Sequence, residues 1–175
     1  MTPGFWISSI TVAVHPTRRD SSVGFESGLN VIYGPSNSGK SWVLQCIDYV
    51  FGLKADEFVL DENSGYTEVR MGVRTAQGSL TLSRSIGEGA NNIEVSSTDP
   101  RIESGVYKRQ SSGRSPLLSS VWLKLIGYDA PENLKIIKNQ NLETQALTWR
   151  TFWHALYADE DRISTKKQIL LPLQA

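Results

Sequence analysis

The stretch VIYGPSNSGKSWVLQ, residues 31–45, carries the fold in miniature. An apolar, β-branched run meets a glycine-bounded turn, and an apolar run of helical spacing follows. Inside it, Gly34-Pro35-Ser36-Asn37-Ser38-Gly39-Lys40-Ser41 has the spacing GxxxxGK[ST]. Glycines at 34 and 39 let backbone amides turn inward and approach phosphate oxygens without a Cβ in the way. The amides of Asn37 to Trp42 are expected to cradle a β-phosphate, with the positive end of the following helix aimed at the anion. Lys40 is expected to bridge the β- and γ-phosphates. Ser41 is expected to place its hydroxyl on Mg²⁺.

Working outward, FWISSITVAV (5–14) reads as a strand. Residues 15–28 read as a loop with a short strand at SVGF, and LNVIY (29–33) as a second full strand ending at Gly34. Residues 41–51 read as a helix with Val43, Leu44, Ile47, Val50 and Phe51 on its core face, closed by Gly52. Cys46 lies beside that stripe as a small buried hydrophobe. YTEVRMGVRT (66–75) and SLTLSRSI (79–86) alternate with period two. With NIEV (92–95) they predict an antiparallel meander with one wet face. Arg84 breaks the pattern by pointing inward, which calls for a carboxylate partner, an edge position or a bound phosphate.

Residues 96–114 read as a long polar loop, locally basic through Arg101, Lys108, Arg109 and Arg114. Solvation is the default role for such a loop, and contact with nucleic acid the sharper one. Ser115 and Pro116 look like the cap and first turn of a helix over 116–126, with Leu117, Leu118, Val121, Trp122, Leu125 and Ile126 as its stripe. LKII within 133–147 is β-like. Thr148 can cap a last helix whose Trp149 and Trp153 face the core. His15 and His154 suggest no metal site. The chain ends in KKQILLPLQA with no capping helix, which suggests a fragment of something longer.

The 175 residues suit one compact domain, 39% hydrophobic with no net charge, so composition makes no electrostatic case for nucleic acid. A single cysteine excludes an internal disulfide and a cysteine-rich metal site. The N-terminus lacks the pattern of a secretory leader, and no apolar run reaches membrane-spanning length. A cytoplasmic setting without membrane contact is expected.

A phosphate loop needs a carboxylate for the magnesium shell or the attacking water. FVLDE (58–62) comes early and is short. ALYADE (155–160) is better spaced but continues a helical pattern. Asp159 and Glu160 are therefore the acidic candidates of a self-contained NTPase or small-molecule kinase. A third reading is a non-hydrolysing, nucleotide-gated dimerisation module.

The segment SGLNVIYGPSNSGKSWVLQCIDYVFG resembles the opening of the SMC-like coiled-coil ATPases, the chromosome-maintenance, break-repair and RecN/RecF-type proteins. The resemblance is specific over 5–52 and looser over 66–95. It implies an α/β phosphate-loop fold of the ABC-ATPase head type: a mixed sheet carrying the loop, helices 41–51 and 116–126 packed on that sheet, and an antiparallel lobe from 5–14 and 66–95. It also implies a single N-terminal lobe with a polar loop at 96–114 and a helical part over 115–163, leading at 164–175 toward a coiled coil. Tyr157-Ala158-Asp159-Glu160-Asp161-Arg162-Ile163 is similar to the family's glutamine loop, with Glu160 where the glutamine stands. By the resemblance Glu160 would serve Mg²⁺ and the attacking water, a role that Asp159 or Asp161 could equally take. The implied cofactors are ATP and Mg²⁺. The implied partners are a C-terminal ATPase lobe and a second head, with DNA as the object of the work. The 175 residues alone are expected to hydrolyse ATP poorly.

Overall fold

The structure, a computed structural model, describes residues 4–14, 19–60, 65–110, 115–137 and 139–158, the side chains of 132, 154 and 155 excepted. Its centre is a six-stranded sheet in the order β2-β1-β3-β4-β5-β6. The strands are β1 (Phe5–Val14), β2 (Ser21–Gly24), β3 (Tyr66–Thr75), β4 (Ser79–Ser85), β5 (Asn92–Ser97) and β6 (Gly105–Lys108). Every neighbouring pair in it is antiparallel.

Alternation sets which face is wet. Val69, Met71 and Val73 on β3, Leu80 and Leu82 on β4, and Ile93 and Val95 on β5 are buried. Arg70, Arg74 and Thr81 stand exposed between them. Three helices cover the apolar face: α1 (Lys40–Val50), α2 (Leu118–Leu125) and α3 (Trp149–Leu156). They share one core with the sheet, from Ile10, Val69 and Leu82 to Tyr49, Trp122 and Trp153. Trp149 and Trp153 are core, as their spacing predicts. An aromatic cluster joins the three helices: Phe51 stacks on Trp122 at 4.2 Å between ring centroids and lies 4.6 Å from Trp153.

Several expectations are corrected here. The helices do not pack on a separate, mixed sheet carrying the phosphate loop; they pack on the antiparallel meander itself. The parallel pairing among the described residues is one isolated bridge, Lys108 to Leu117. That bridge also explains why α2 starts late. The Lys108 N–H donates to the Pro116 carbonyl at 2.8 Å, so Pro116 extends a sheet edge and Leu117, not Ser115, holds the cap position.

Residues 96–114 are not one loop. GVYK forms β6, registered so that Tyr107 faces Ile93, and burial of Tyr107 outweighs the polar sequence around it. The turn before it is pinned by the buried Asp99. Its carboxylate accepts from Thr75 Oγ1 at 2.6 Å and from both Nε and Nη2 of Arg101, at 2.9 and 2.7 Å. LKII contributes only Lys135–Ile137 as β7, paired antiparallel with β8 (Thr144–Ala146) in a small exposed hairpin.

The largest departure concerns residues 29–34. They belong to no strand and to neither sheet. Leu29 is 93% exposed, Val31 71% and Tyr33 90%. A run with good β-propensity stands open because propensity needs a neighbouring strand to act on.

Candidate functional site

Residues 34–39 form a compact turn leading directly into α1. Gly39 caps the helix in the left-handed region, φ 83°, which a side chain would strain. Asn37, at φ 60°, is one of the few residue types that tolerate the same region. At Gly34, φ 158°, a Cβ would come within 3.3 Å of Ser38 Oγ, a close contact that the serine side chain would have to relieve.

Lys40 folds back over this turn. Its ammonium donates to the Gly34 carbonyl at 3.0 Å, to the Pro35 carbonyl at 2.6 Å and, more weakly, to Ser38 Oγ at 3.3 Å. The charge is thereby held at the mouth of the loop rather than on a free tether. No side chain caps α1, and its first turn holds no acid. The Trp42 N–H turns back to the Gly39 carbonyl at 3.1 Å, and the positive end of the helix faces the loop, open to an anion. Asn37, Ser38, Gly39, Lys40, Ser41 and Trp42 line a cavity of ≈ 440 Å³. The structure thus brings the expected residues together: Ser36 sits in the same turn, and Ser41 is exposed on the first helical turn. A second, more apolar cavity of ≈ 340 Å³ flanks the loop, walled by Val12, Val23, Trp42, Val43 and Leu60.

The acidic candidates are a different matter. Asp159, Glu160 and Asp161 lie outside the described residues, as do Asp61, Glu62, His15, Arg114 and the 164–175 segment. Among the described residues no cluster of three metal-ligating side chains occurs.

Arg84 fits none of its expected roles. It is fully buried at the opposite end of α1 from the loop, about 15 Å away along the helix axis. Its guanidinium donates to three carbonyls: Ala90 at 2.7 Å, Leu53 at 2.8 Å, and Tyr49. It also lies 3.8 Å above the Tyr49 ring. These carbonyls include the negative end of α1, which a cation satisfies without a carboxylate. Burial pushes the guanidinium pKa down to about 10, still charged at neutral pH.

Of the basic stretch, the described residues have partners within the fold. Arg101 is on Asp99, Lys108 donates to Asn92 Oδ1, and Arg109 reaches Asn91 Oδ1 at 3.4 Å.

One feature of α1 escaped the sequence reading. Asp48 is buried in the last turn and forms an ion pair with Arg150 of α3. Desolvation raises the Asp48 pKa, and Arg150 opposes that rise. The signal was present: an acid near a helix C-terminus opposes the helix dipole and calls for a cation. The α1 core face differs too. Leu44 is 43% exposed, while Cys46, Tyr49 and Val50 carry the contact. Burial raises the Cys46 thiol to about 11, which suits the inert reading.

A family model described as an AAA domain matches residues 12–170. The chain belongs to that family, within the phosphate-loop ATPases. No curated protein matches the chain. No helix among the described residues is long and apolar enough to cross a membrane.

Proposed function

We propose that this chain is the ATP-binding half of a split, SMC-like ATPase head, completed by a C-terminal lobe and a second head and working on DNA. The observation that carries the reading is the exposed run Leu29–Tyr33 immediately before the loop. In a self-contained NTPase this run would be paired and buried. Here an adjoining lobe would supply the missing strands and cover Leu29, Val31, Tyr33, Trp42 and Leu44 together.

The residues present fit ATP. The Gly39-capped turn and the first amides of α1 would receive the β-phosphate. Lys40, already held at the mouth by two carbonyls, would exchange its weak Ser38 contact for a phosphate oxygen. The apolar cavity walled by Val23 and Trp42 offers room for the base. Ser41 would contribute its hydroxyl to Mg²⁺, which would spread the charge developing on the transferred phosphoryl group. The carboxylate of that shell is assigned to Glu160, with Asp159 and Asp161 beside it. Lacking the other lobe, the chain should bind ATP but turn it over slowly.

Equilibrium dialysis with ATP and Mg²⁺ tests this. Lys40→Ala should weaken binding by about a hundredfold, the loss of charge-assisted contacts to phosphate. Unchanged affinity would sink the phosphate-loop reading. Fast single-turnover hydrolysis by this chain, abolished in Glu160→Gln, would overturn the split head in favour of a self-contained NTPase.

A further inference from the structure

The two ends of α1 are held very differently. At the loop end, Ser41, Trp42 and Leu44 are exposed, and the helix gains little from its surroundings. At the far end, Cys46, Asp48, Tyr49 and Val50 are buried. Arg84 fastens the terminal carbonyls there to β4. α1 is therefore a lever anchored at its C-terminus, with the phosphate loop on its free arm.

Arg150 is the second attachment at the anchored end, and it comes from α3. It pairs with Asp48 across 102 residues of sequence and lies 5.5 Å from the centroid of the Trp153 ring. Trp153 packs on Phe51, the residue that caps α1, at 4.6 Å. Tyr157, just past α3, stacks on Trp153 at 5.3 Å and 13°. Its N–H donates to the Trp153 carbonyl at 2.9 Å. The end of α1, Arg150 and Trp153 of α3, and Tyr157 thus form one continuous packed and paired unit.

Asp48 is the component that makes this unit sensitive to geometry. A buried carboxylate at the negative end of a helix is unfavourable by itself. The guanidinium offsets that cost, and this ties the pitch of α1 to the position of α3. Apolar packing alone would allow small slides at little cost, whereas an ion pair whose carboxylate is buried resists them, because a slide would leave Asp48 without its partner.

We propose that Arg150 is a positioning residue for the phosphate loop. Through Asp48 it sets the pitch of α1, so that phosphate binding at one end of the helix and the ordering of α3 at the other are thermodynamically coupled. The coupling is reciprocal: whatever orders α3 tightens nucleotide, and nucleotide orders α3. The chain beyond Tyr157 would receive that signal first.

This inference rests on the nucleotide-binding reading, and the experiment separates the two. ATP affinity by equilibrium dialysis and amide hydrogen exchange of residues 149–157, with and without Mg·ATP, are measured on the 175-residue chain. Wild type should bind ATP and gain protection in α3 on binding. Arg150→Met should lose that gain and bind ATP three- to tenfold more weakly. Arg150→Lys should restore much of both. Asp48→Asn should match Arg150→Met, and the double variant should be no weaker than either single one.

Three outcomes overturn the proposal while leaving the loop intact. In the first, Arg150→Met melts at lower temperature yet binds ATP like wild type, a purely structural role. In the second, nucleotide-induced protection of α3 is equal in wild type and variant. In the third, the losses in Asp48→Asn and Arg150→Met are additive. Absence of ATP binding by wild type would overturn the nucleotide reading and this inference together.

Discussion

Two apolar, β-branched runs in this chain have opposite fates. TEVRMGVRT lies in β3, hydrogen-bonded on both sides, with Val69, Met71 and Val73 fully buried. LNVIY, which scores as well by composition, lies open ahead of the phosphate loop. The difference is not in the residues. β3 has neighbours within 10 residues on one side and a returning N-terminal strand on the other, whereas no strand among the described residues pairs with 29–33. Strand formation is a property of pairs, so a run of the same composition stays open where no strand pairs with it.

The comparison can be pressed hardest at Arg84, the centre of the well-paired region. Arg84→Met would strip the carbonyls of Leu53 and Ala90 of the Arg84 donor and leave the Tyr49 carbonyl with only the Gly52 N–H. A loss of roughly 4 kcal/mol in urea unfolding is expected, enough to threaten folding altogether. A loss below about 1 kcal/mol would mean the guanidinium is not the anchor of α1.

Asp99 comes next. Its bonds to Arg101 and Thr75 hold the carboxyl well below the usual carboxylate range, so the folded state favours the charged form. That stabilisation is complete above the unfolded pKa of about 4 and is lost as pH falls through the folded value below it. Asp99→Asn should cost about 2 kcal/mol at pH 7. The gap between variant and wild type should narrow as unfolding is measured progressively below about pH 4. A gap independent of pH would remove the charged pair from the account.

A matched pair of substitutions isolates the comparison itself. Val69→Thr places a hydroxyl in the core and should cost about 2 kcal/mol. Val31→Thr makes the same chemical change at an exposed site and should stay within about 0.5 kcal/mol. Equal costs would show that residues 29–33 are packed in solution after all.

The smallest effect is expected at Cys46, where α1 rests on the sheet. With its pKa raised to about 11 and its side chain buried, the thiol should resist a maleimide reagent at pH 7.5 and react at once in urea. Rapid labelling of the native protein would mean that α1 lifts from the sheet far more readily than its buried end implies.

Much of this was legible beforehand, and for identifiable reasons. The loop announced itself because Gly34 and Gly39 suit a tight backbone turn and Lys40-Ser41 completes the GxxxxGK[ST] spacing, all within eight residues. β3 and β4 were legible because a two-residue period persists along each. β6 was not, since GVYK offers only Val106 and Tyr107, and its pairing is decided by Ile93 opposite. The carbonyl cradle of Arg84 was also out of reach, because backbone acceptors leave no trace in side-chain identity.

By itself, then, the sequence determined the local pieces of this protein: the glycine-bounded turn, the helix that follows it, the alternating meander and the tryptophan face of α3. Each follows from short-range sterics or periodicity, which act within a few residues. Tertiary structure alone decided which strands found partners, which end of α1 became the anchor and which carboxylate met which arginine. Those outcomes depend on contacts between residues as distant as Asp48 and Arg150. Only the folded chain brings such groups close enough for burial and charge to act between them.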